Sequence, residues 1–196
     1  MSLRKVGRKV VESVRGARAR HMARHEPTHA EFAVADRVEF LDPAAWDEVT
    51  RDAGVFLGRP YLRALQQAGP TNIRSRFALV YRGGRPVAAL SAQIVHLELA
   101  RLPSPSTKRA MLARLANHET DVFVLGNLLS WGPHGVAFAR GVDPRDEWPA
   151  VAEAIERIRH ADETCRGTPL ILVKDVPESL APTLDALEPF LSLIHI

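Results

Sequence analysis

The sequence contains one cysteine, Cys165, and no apolar run long enough to cross a bilayer. A single cysteine excludes an internal disulfide and is typical of proteins from a reducing compartment. The N-terminus also lacks the apolar core of a signal peptide. Together these absences predict a cytoplasmic protein.

Several patterns of catalytic chemistry are missing as well. The sequence has no CxxC pair, no phosphate-binding P-loop and no Ser-His-Asp order of the hydrolase type. His21, His25 and His29 are spaced by four, but Pro27 interrupts them and no carboxylate or cysteine completes a ligand set. We therefore expect no metal site.

Positive charge is concentrated near the N-terminus. The chain has a formal net charge of +3, and residues 3–24 hold eight basic residues opposed only by Glu12. Their apolar residues recur at helical spacing as a narrow stripe. The pattern predicts a basic helix or tail over residues 1–30. This segment either stays solvated or docks on RNA or an anionic membrane surface, which would make the protein peripheral.

A strand, a glycine-bearing loop and a helix follow one another between Asp121 and Ile158. The apolar run from Val122 to Leu125 is rich in β-branched and aromatic residues, as in an interior strand. Asp143 and Pro144 then predict a helix start, with the aspartate as N-cap. A strand that leads through glycines to a helix can hold an anion against backbone N–H donors, although an ordinary connection has the same composition.

The other elements are predicted from alternation, turn residues and helical spacing. They are a strand from Glu31 to Leu41, helices beginning at Asp42-Pro43 and near Pro60, a hairpin of Phe77 to Tyr81 with Pro86 to Leu97 through Gly83-Gly84, a helix from Thr107 to His118, a strand from Pro169 to Val173, and a helix from Glu178 to Leu187. This order indicates an α/β (α+β) fold, a mixed sheet with helices on both faces.

The order of elements resembles the acyltransferase fold of the GNAT superfamily. Two stretches resemble FemAB-like proteins: FLGRPYLRALQQAG, Phe56 to Gly69, and FALVYRGGRPVAALSAQIV, Phe77 to Val95. The resemblance covers residues 31–190 and implies a GNAT-like domain with a mostly antiparallel sheet. FemAB-like proteins carry two such domains in tandem, so the resemblance also implies a missing C-terminal GNAT-like half as partner.

The resemblance implies a function. Proteins of this type transfer an acyl or aminoacyl group to an amine acceptor, here a small molecule or peptide, from acyl-coenzyme A (acyl-CoA) or aminoacyl-tRNA. GNAT enzymes hold acyl-CoA on a splayed central strand, with its pyrophosphate at the next helix N-terminus. In this chain Ser130 to Gly135 occupies that region. Compared with the GNAT pyrophosphate-binding motif, its glycines are spaced more widely and no Arg or Gln precedes them. Pro133 also lacks the amide N–H that would donate to a ligand. The alternative is a non-catalytic half that recognises the acceptor or a partner.

The candidate catalytic residues are His134, Lys174 and Asp175. A loop histidine titrates near neutrality, and Lys174 with Asp175 follows a predicted strand at its carboxyl end, where open α/β sheets bind ligands. Because two strands should end at one sheet edge, we expect His134 near Lys174. The candidate cofactor-binding residues are Asn127, Ser130, Gly132 and Gly135. A surface ion pair or helix cap would also explain Lys174 and Asp175, and turn chemistry would explain Asn127 and Ser130.

The last six residues, LSLIHI, match the translation of a transposon-end adapter used in sequencing libraries. We interpret residues 191–196 as adapter translation rather than native sequence, and expect them to pack poorly despite their apolar character. The natural protein is then expected to continue beyond Phe190.

Overall fold

The computed structural model describes residues 27–97, 120–132, 135–161 and 171–187. Six strands in these ranges form one sheet, ordered β1-β2-β3-β4-β6, and β5 also pairs with β3. The strands are β1 (Glu31–Ala35), β2 (Ile73–Arg82), β3 (Arg85–Leu97), β4 (Thr120–Leu125), β5 (Val136–Phe138) and β6 (Ile171–Val173). β4 and β6 run parallel and the other pairs are antiparallel. The predicted class, mixed α/β with a mostly antiparallel sheet, is confirmed.

The α-helices in the described ranges are α1 (Pro43–Thr50), α2 (Arg59–Ala68) and α3 (Pro144–Ala161). The Asp42 carboxylate accepts the N–H groups of Ala44 and Ala45 at 2.8 and 3.2 Å. The Asp143 carboxylate accepts the N–H of Arg145 at 2.9 Å. These bonds satisfy backbone donors that a helix start leaves unpaired, and they confirm the predicted starts of α1 and α3.

Within the described ranges, no helix combines the length and the apolar content needed to cross a membrane.

Helices cover both faces of the sheet, as predicted. Ala78 and Val80 of β2 belong to the core cluster that contains the apolar face of α3. Their neighbours Phe77 and Leu79 belong to a second cluster, with residues of α1 and α2. The division follows from the strand period of two, which sends successive side chains to opposite faces.

The predicted hairpin and the predicted interior strand are both present. β2 and β3 pair antiparallel through a turn at Gly83 and Gly84, whose φ angles are +54° and +76°. Positive φ at both central residues is what a type I′ hairpin turn requires, and glycine adopts it without a steric penalty. β4 lies between β3 and β6, so Val122 to Leu125 is interior.

Three predicted elements were wrong in extent or type, and one strand was missed. β2 begins at Ile73, four residues before the predicted start at Phe77. The strand from Glu31 to Leu41 stops at Ala35, and Val38–Phe40 is a 3₁₀ helix. The chain turns there because the N–H of Val38 bonds to the Gln66 side chain at 3.3 Å instead of continuing the sheet. The stretch from Glu178 to Leu187 is a turn followed by a 3₁₀ helix, Ala181–Leu187. It contains a proline, which removes a backbone donor from an α-helix.

The missed strand is β5, which was predicted as loop. Only three residues long, it lies in a stretch dominated by turn-forming residues, and it forms because β3 offers an unpaired flank there. The predictions for residues 1–26, for Thr107 to His118 and for residues 191–196 lie outside the described residues, as do those for Pro133 and His134.

Candidate functional site

β4 and β5 lie along the same flank of β3, like two halves of one interrupted strand. β4 pairs with residues 92–97 and β5 with residues 88–90. Ser91 joins them: its N–H donates to the Gly135 carbonyl at 2.9 Å, and its carbonyl accepts the N–H of Gly126 at 3.0 Å. The chain therefore leaves the sheet after Gly126 and rejoins it at Gly135.

The rejoining point requires glycine. A Cβ on Gly135 would lie 2.9 Å from the carbonyl carbon and oxygen of Leu125 and 3.0 Å from the nitrogen of Gly126. Those atoms are backbone in the middle of the sheet and cannot move aside as a flexible side chain can. The role of Gly135 in this structure is thus close backbone packing.

β4 and β6 end at the same edge of the sheet, as expected. Leu125 is the register partner of Val173, and the N–H of Lys174 donates to the Leu125 carbonyl at 3.0 Å. A Cβ on Gly126 would lie 3.2 Å from the Lys174 Cβ, so the glycine lets the two chains approach. We call this place, where β4, β6 and the glycine loop meet, the junction.

Four predicted site residues form one bonded group at the junction. Lys174 Nζ donates to the Ser130 carbonyl at 2.9 Å and pairs with the Asp175 carboxylate. The same carboxylate accepts the N–H of Gly132 at 3.0 Å. The side chains of Lys174 and Asp175 are 20% and 28% exposed, so the pair is partly shielded from water. Asp175 has a φ of +51°, a backbone region that few non-glycine residues adopt.

Among the described residues, a small cavity lies beside the junction. The cavity lined by Gly135, Lys174 and Asp175 has a volume of about 10 Å³. That space is about the least that holds one water molecule. An acyl group does not fit into this cavity.

Asn127 was predicted with this group but points elsewhere. Its side chain is buried, and its Oδ1 accepts from Gln93 Nε2 at 3.1 Å and from the N–H of Leu129 at 2.9 Å. Its Nδ2 donates to the hydroxyl of Tyr61 at 3.0 Å, and Gln93 Oε1 accepts the N–H of Leu128 at 2.9 Å. Asn127 thus holds the loop to β3 and α2.

Sequence reasoning missed Gln93 and Tyr61. A signal for Gln93 exists, because it is an amide in the middle of a strand whose other residues are mostly apolar. A buried amide needs hydrogen-bond partners, and here the loop supplies them.

A second polar group lies at the other end of β4. Asp121, whose side chain is 7% exposed, accepts from Arg74 at 2.9 Å and pairs with His96 Nδ1 at 2.8 Å. Sequence reasoning also missed His96. Cross-strand pairing brings it opposite Asp121, and no local pattern reveals such a pairing. Within the described ranges, no three metal-binding side chains of the His, Cys, Asp or Glu type converge.

Two larger cavities lie away from the junction. One, of about 420 Å³, runs between α2 and β2, and we call it the basic groove because Arg37, Arg74 and Arg76 line it; Leu129 of the loop forms part of its wall. The other, of about 320 Å³, lies at the β2–β3 turn and includes Arg51 and Arg85.

Two groups outside the junction have shifted pKa values. Burial, helped by the Asp42 carboxylate, raises the pKa of Tyr81. Burial acts to raise the pKa of Glu153 too, but hydrogen bonds from Thr28 and Arg157 outweigh it and lower that pKa.

Comparisons of the chain with models of protein families, with curated proteins and with solved structures found no match.

Proposed function

We propose that the chain is a GNAT-like part of a FemAB-like acyl- or aminoacyltransferase, and that the junction receives the acyl donor. The observation that carries the proposal is the convergence of Ser130, Gly132, Lys174 and Asp175 at the carboxyl end of a parallel strand pair. Ligands of open α/β sheets bind at such ends. The pairing of β6 with β4 stops at Val173 and Lys174, and the chain beyond Gly126 departs into the loop.

The chemistry of acyl transfer suits these groups. The reaction needs a polarised carbonyl, a deprotonated amine and close approach of the two. The Gly132 N–H and the Lys174 ammonium group are donors that can stabilise negative charge on a carbonyl oxygen. Asp175 is a carboxylate that can accept a proton from the amine. A donor carbonyl that replaced the Asp175 oxygen at the Gly132 N–H would release this carboxylate for that purpose.

A second candidate function has its own support. The cavity that the described residues leave beside Gly135, Lys174 and Asp175, about 10 Å³, is too small for an acyl group, whereas the basic groove offers about 420 Å³. These volumes favour a non-catalytic half that recognises an acceptor or partner. The two candidates differ in one respect: the transferase must bind an acyl donor through Lys174 and Asp175.

Calorimetry can separate the two. The full chain is titrated with acetyl-CoA, and separately with an aminoacyl-tRNA, as wild type, Lys174→Met and Asp175→Asn. Arg145→Met, on the exposed start of α3, is the matched control. For a transferase we expect wild type and control to bind alike. Lys174→Met should bind about tenfold or more weakly, since it removes a charged hydrogen bond.

A donor that binds should also be consumed. Free thiol released from acetyl-CoA in the presence of an amine measures transfer, and Asp175→Asn should slow it more than it weakens binding. If neither donor binds the wild-type chain, the binding half is the better account. If all variants bind equally, the junction is not the donor site.

A further inference from the structure

The cavity at the β2–β3 turn is lined by four arginines. It has a volume of about 320 Å³, and we call it the turn cleft. Pockets that bind small molecules have volumes of roughly 300–1,000 Å³, so the turn cleft is large enough for a small ligand. Its arginines come from four segments, which are the end of α1, β2, β3 and the connection between β5 and α3: Arg51, Arg82, Arg85 and Arg140. None of its lining residues belongs to the junction.

The walls of the turn cleft are held together by bonds between separate segments. The N–H of Ala139 donates to the Val87 carbonyl at 2.9 Å, and the N–H of Val142 donates to the Ala139 carbonyl at 3.2 Å. These bonds fix the connection between β5 and α3 against β3. Arg140 Nη2 donates to the Asp52 carboxylate at 2.9 Å and so joins this connection to the end of α1. The shape of the cleft therefore follows from the fold.

The hairpin places two of the arginines side by side. Arg82 and Arg85 are register partners on either side of Gly83 and Gly84. Residues directly opposite each other in an antiparallel pair have Cβ atoms about 5 Å apart, and like charges in that arrangement are destabilising. The Glu147 carboxylate accepts from Arg82 Nε at 3.1 Å and offsets one of the two charges. In the described part of the chain, no carboxylate forms an ion pair with Arg85.

Arg51 and Arg85 have hydrogen-bond donors left for a ligand. Both residues are exposed, and in the described ranges neither side chain forms a hydrogen bond or an ion pair. Each guanidinium group carries five N–H donors in one plane. The acidic side chains that line the cleft are Glu48 and Asp52, and Asp52 is paired with Arg140. Two guanidinium groups thus share the cleft with one carboxylate that has no cationic partner among the described residues.

We propose that the turn cleft binds a small ligand through a phosphate group, with Arg51 and Arg85 as the side chains that contact its oxygens. A guanidinium group matches the geometry of phosphate oxygens and can donate two parallel hydrogen bonds to them. A phosphate monoester carries a charge of about −1.5 to −2 at pH 7 and three terminal oxygens, so it can accept from two guanidinium groups at once. A carboxylate has one charge and two oxygens and uses the pair less fully. This site does not depend on the proposed transferase activity.

The Nε–H signals of the arginine side chains in nuclear magnetic resonance spectra report the contact directly. The isotope-labelled full chain is titrated with inorganic phosphate and with phenyl phosphate, and acetate is the control anion. Ionic strength is held constant with sodium chloride, because screening would otherwise change every charged contact. We expect saturable shifts of the Arg51 and Arg85 signals with both phosphates and weaker binding of acetate. Arg63, an exposed arginine of α2 that lines neither large cavity, should not respond.

Substitutions test which groups hold the phosphate. Arg51→Gln and Arg85→Gln should each weaken phosphate binding about tenfold, since each removes a charged hydrogen-bond donor. Arg85→Lys keeps the charge but loses the planar pair of donors, so its affinity should lie between those of wild type and Arg85→Gln. Glu48→Gln removes the unpaired carboxylate and should strengthen binding. Arg63→Gln is the matched control and should bind as wild type does, and urea unfolding checks that every variant is folded.

Three results would overturn the proposal. One is the absence of a saturable shift at Arg51 and Arg85 with either phosphate. Another is acetate binding as tight as that of phosphate, which would show that the cleft does not select a phosphate group. The third is an equal loss of affinity in Arg63→Gln and Arg85→Gln, which would show that phosphate responds to the overall charge of the chain rather than to this site.

Discussion

Two connections between strands in this molecule both depend on glycine, but for different reasons. In the β2–β3 turn, Gly83 and Gly84 have positive φ, and a Cβ on either would meet no atom within 4 Å. At the return from the glycine loop, a Cβ on Gly135 would lie 2.9 Å from the backbone of Leu125. The first requirement is a local backbone conformation. The second is packing between segments that tertiary structure brings together.

The two connections also differ in which residues determine their conformation. The β2–β3 turn is determined by its own two residues and the strands on either side. The glycine loop is held by side chains from distant parts of the chain: Tyr61, Gln93, Lys174 and Asp175. A loop fixed from outside can present side chains that its own sequence does not bury, as functional loops on rigid scaffolds do.

The largest predicted effect is at Gly135. Gly135→Ala should lower the free energy of unfolding by about 3 kcal/mol, because the methyl group overlaps backbone atoms and the sheet must shift to accept it. Gly84→Ala, in the β2–β3 turn, is the control and should cost about 1 kcal/mol for a left-handed alanine. Urea unfolding of the three proteins measures both values.

Equal losses for Gly135→Ala and Gly84→Ala would contradict the distinction between packing and conformation. The same overlap means that Gly135 cannot serve as a site for testing donor binding. A larger residue there would disturb the sheet before it altered any ligand contact.

The next effect tests the side chains that fix the loop from outside. Gln93→Leu removes one of the two donors to Asn127 Oδ1 and the acceptor of the Leu128 N–H; the Leu129 N–H still donates to Asn127 Oδ1. We expect a loss of about 2 kcal/mol, because two hydrogen bonds are lost and the partly buried Leu128 N–H is left without this acceptor. Tyr61→Phe removes one bond to Asn127 and should cost about 1 kcal/mol. Amide hydrogen exchange should accelerate at residues 128–132 in Gln93→Leu and stay unchanged in the β2–β3 turn; exchange that rises equally in both would show a global effect.

The sequence predicted best what local chemistry determines. The glycine pair of the hairpin, the aspartate caps of α1 and α3, and the interior strand from Val122 to Leu125 were all predicted correctly, since each depends on a few adjacent residues. The common edge of β4 and β6 was also predicted, because the carboxyl ends of parallel strands lie at the same edge of a sheet. β5 was missed because its three residues form a strand only where β3 offers a free flank.

In the candidate site, too, sequence reasoning found some residues and missed the partners that only tertiary structure supplies. Ser130, Gly132, Lys174 and Asp175 were predicted from two separate stretches, and the parallel pair brings them together. Asn127 was assigned to the same group because it lies in the same loop, but its partners come from β3 and α2. His96 and Asp121 are cross-strand partners, and register across 25 residues leaves no local signal.

The smallest predicted effect concerns the start of the described chain, where a side chain of α3 holds Thr28. Glu153 Oε2 of α3 accepts the N–H and the hydroxyl of Thr28 at 3.0 and 2.7 Å, and Arg157 donates to Oε1 at 2.8 Å. Burial opposes the charged form, but these bonds outweigh it and hold the pKa of Glu153 below its ordinary 4.5. The stability this provides is present above pH 4.5 and is lost as the pH falls through the lower, folded-state value.

Glu153→Gln should therefore lower the free energy of unfolding at neutral pH by about 1 kcal/mol or less and flatten its decline as the pH falls below 4.5. The control is Glu178→Gln, an exposed residue in the turn before the last 3₁₀ helix, whose curve should follow that of the wild type. Urea unfolding at several pH values gives the curves. A Glu153→Gln curve displaced from wild type but parallel to it would mean that the Thr28 contact stabilises the fold without depending on the carboxylate charge. The segment at Thr28 would then be held by hydrogen bonding and packing that do not depend on charge.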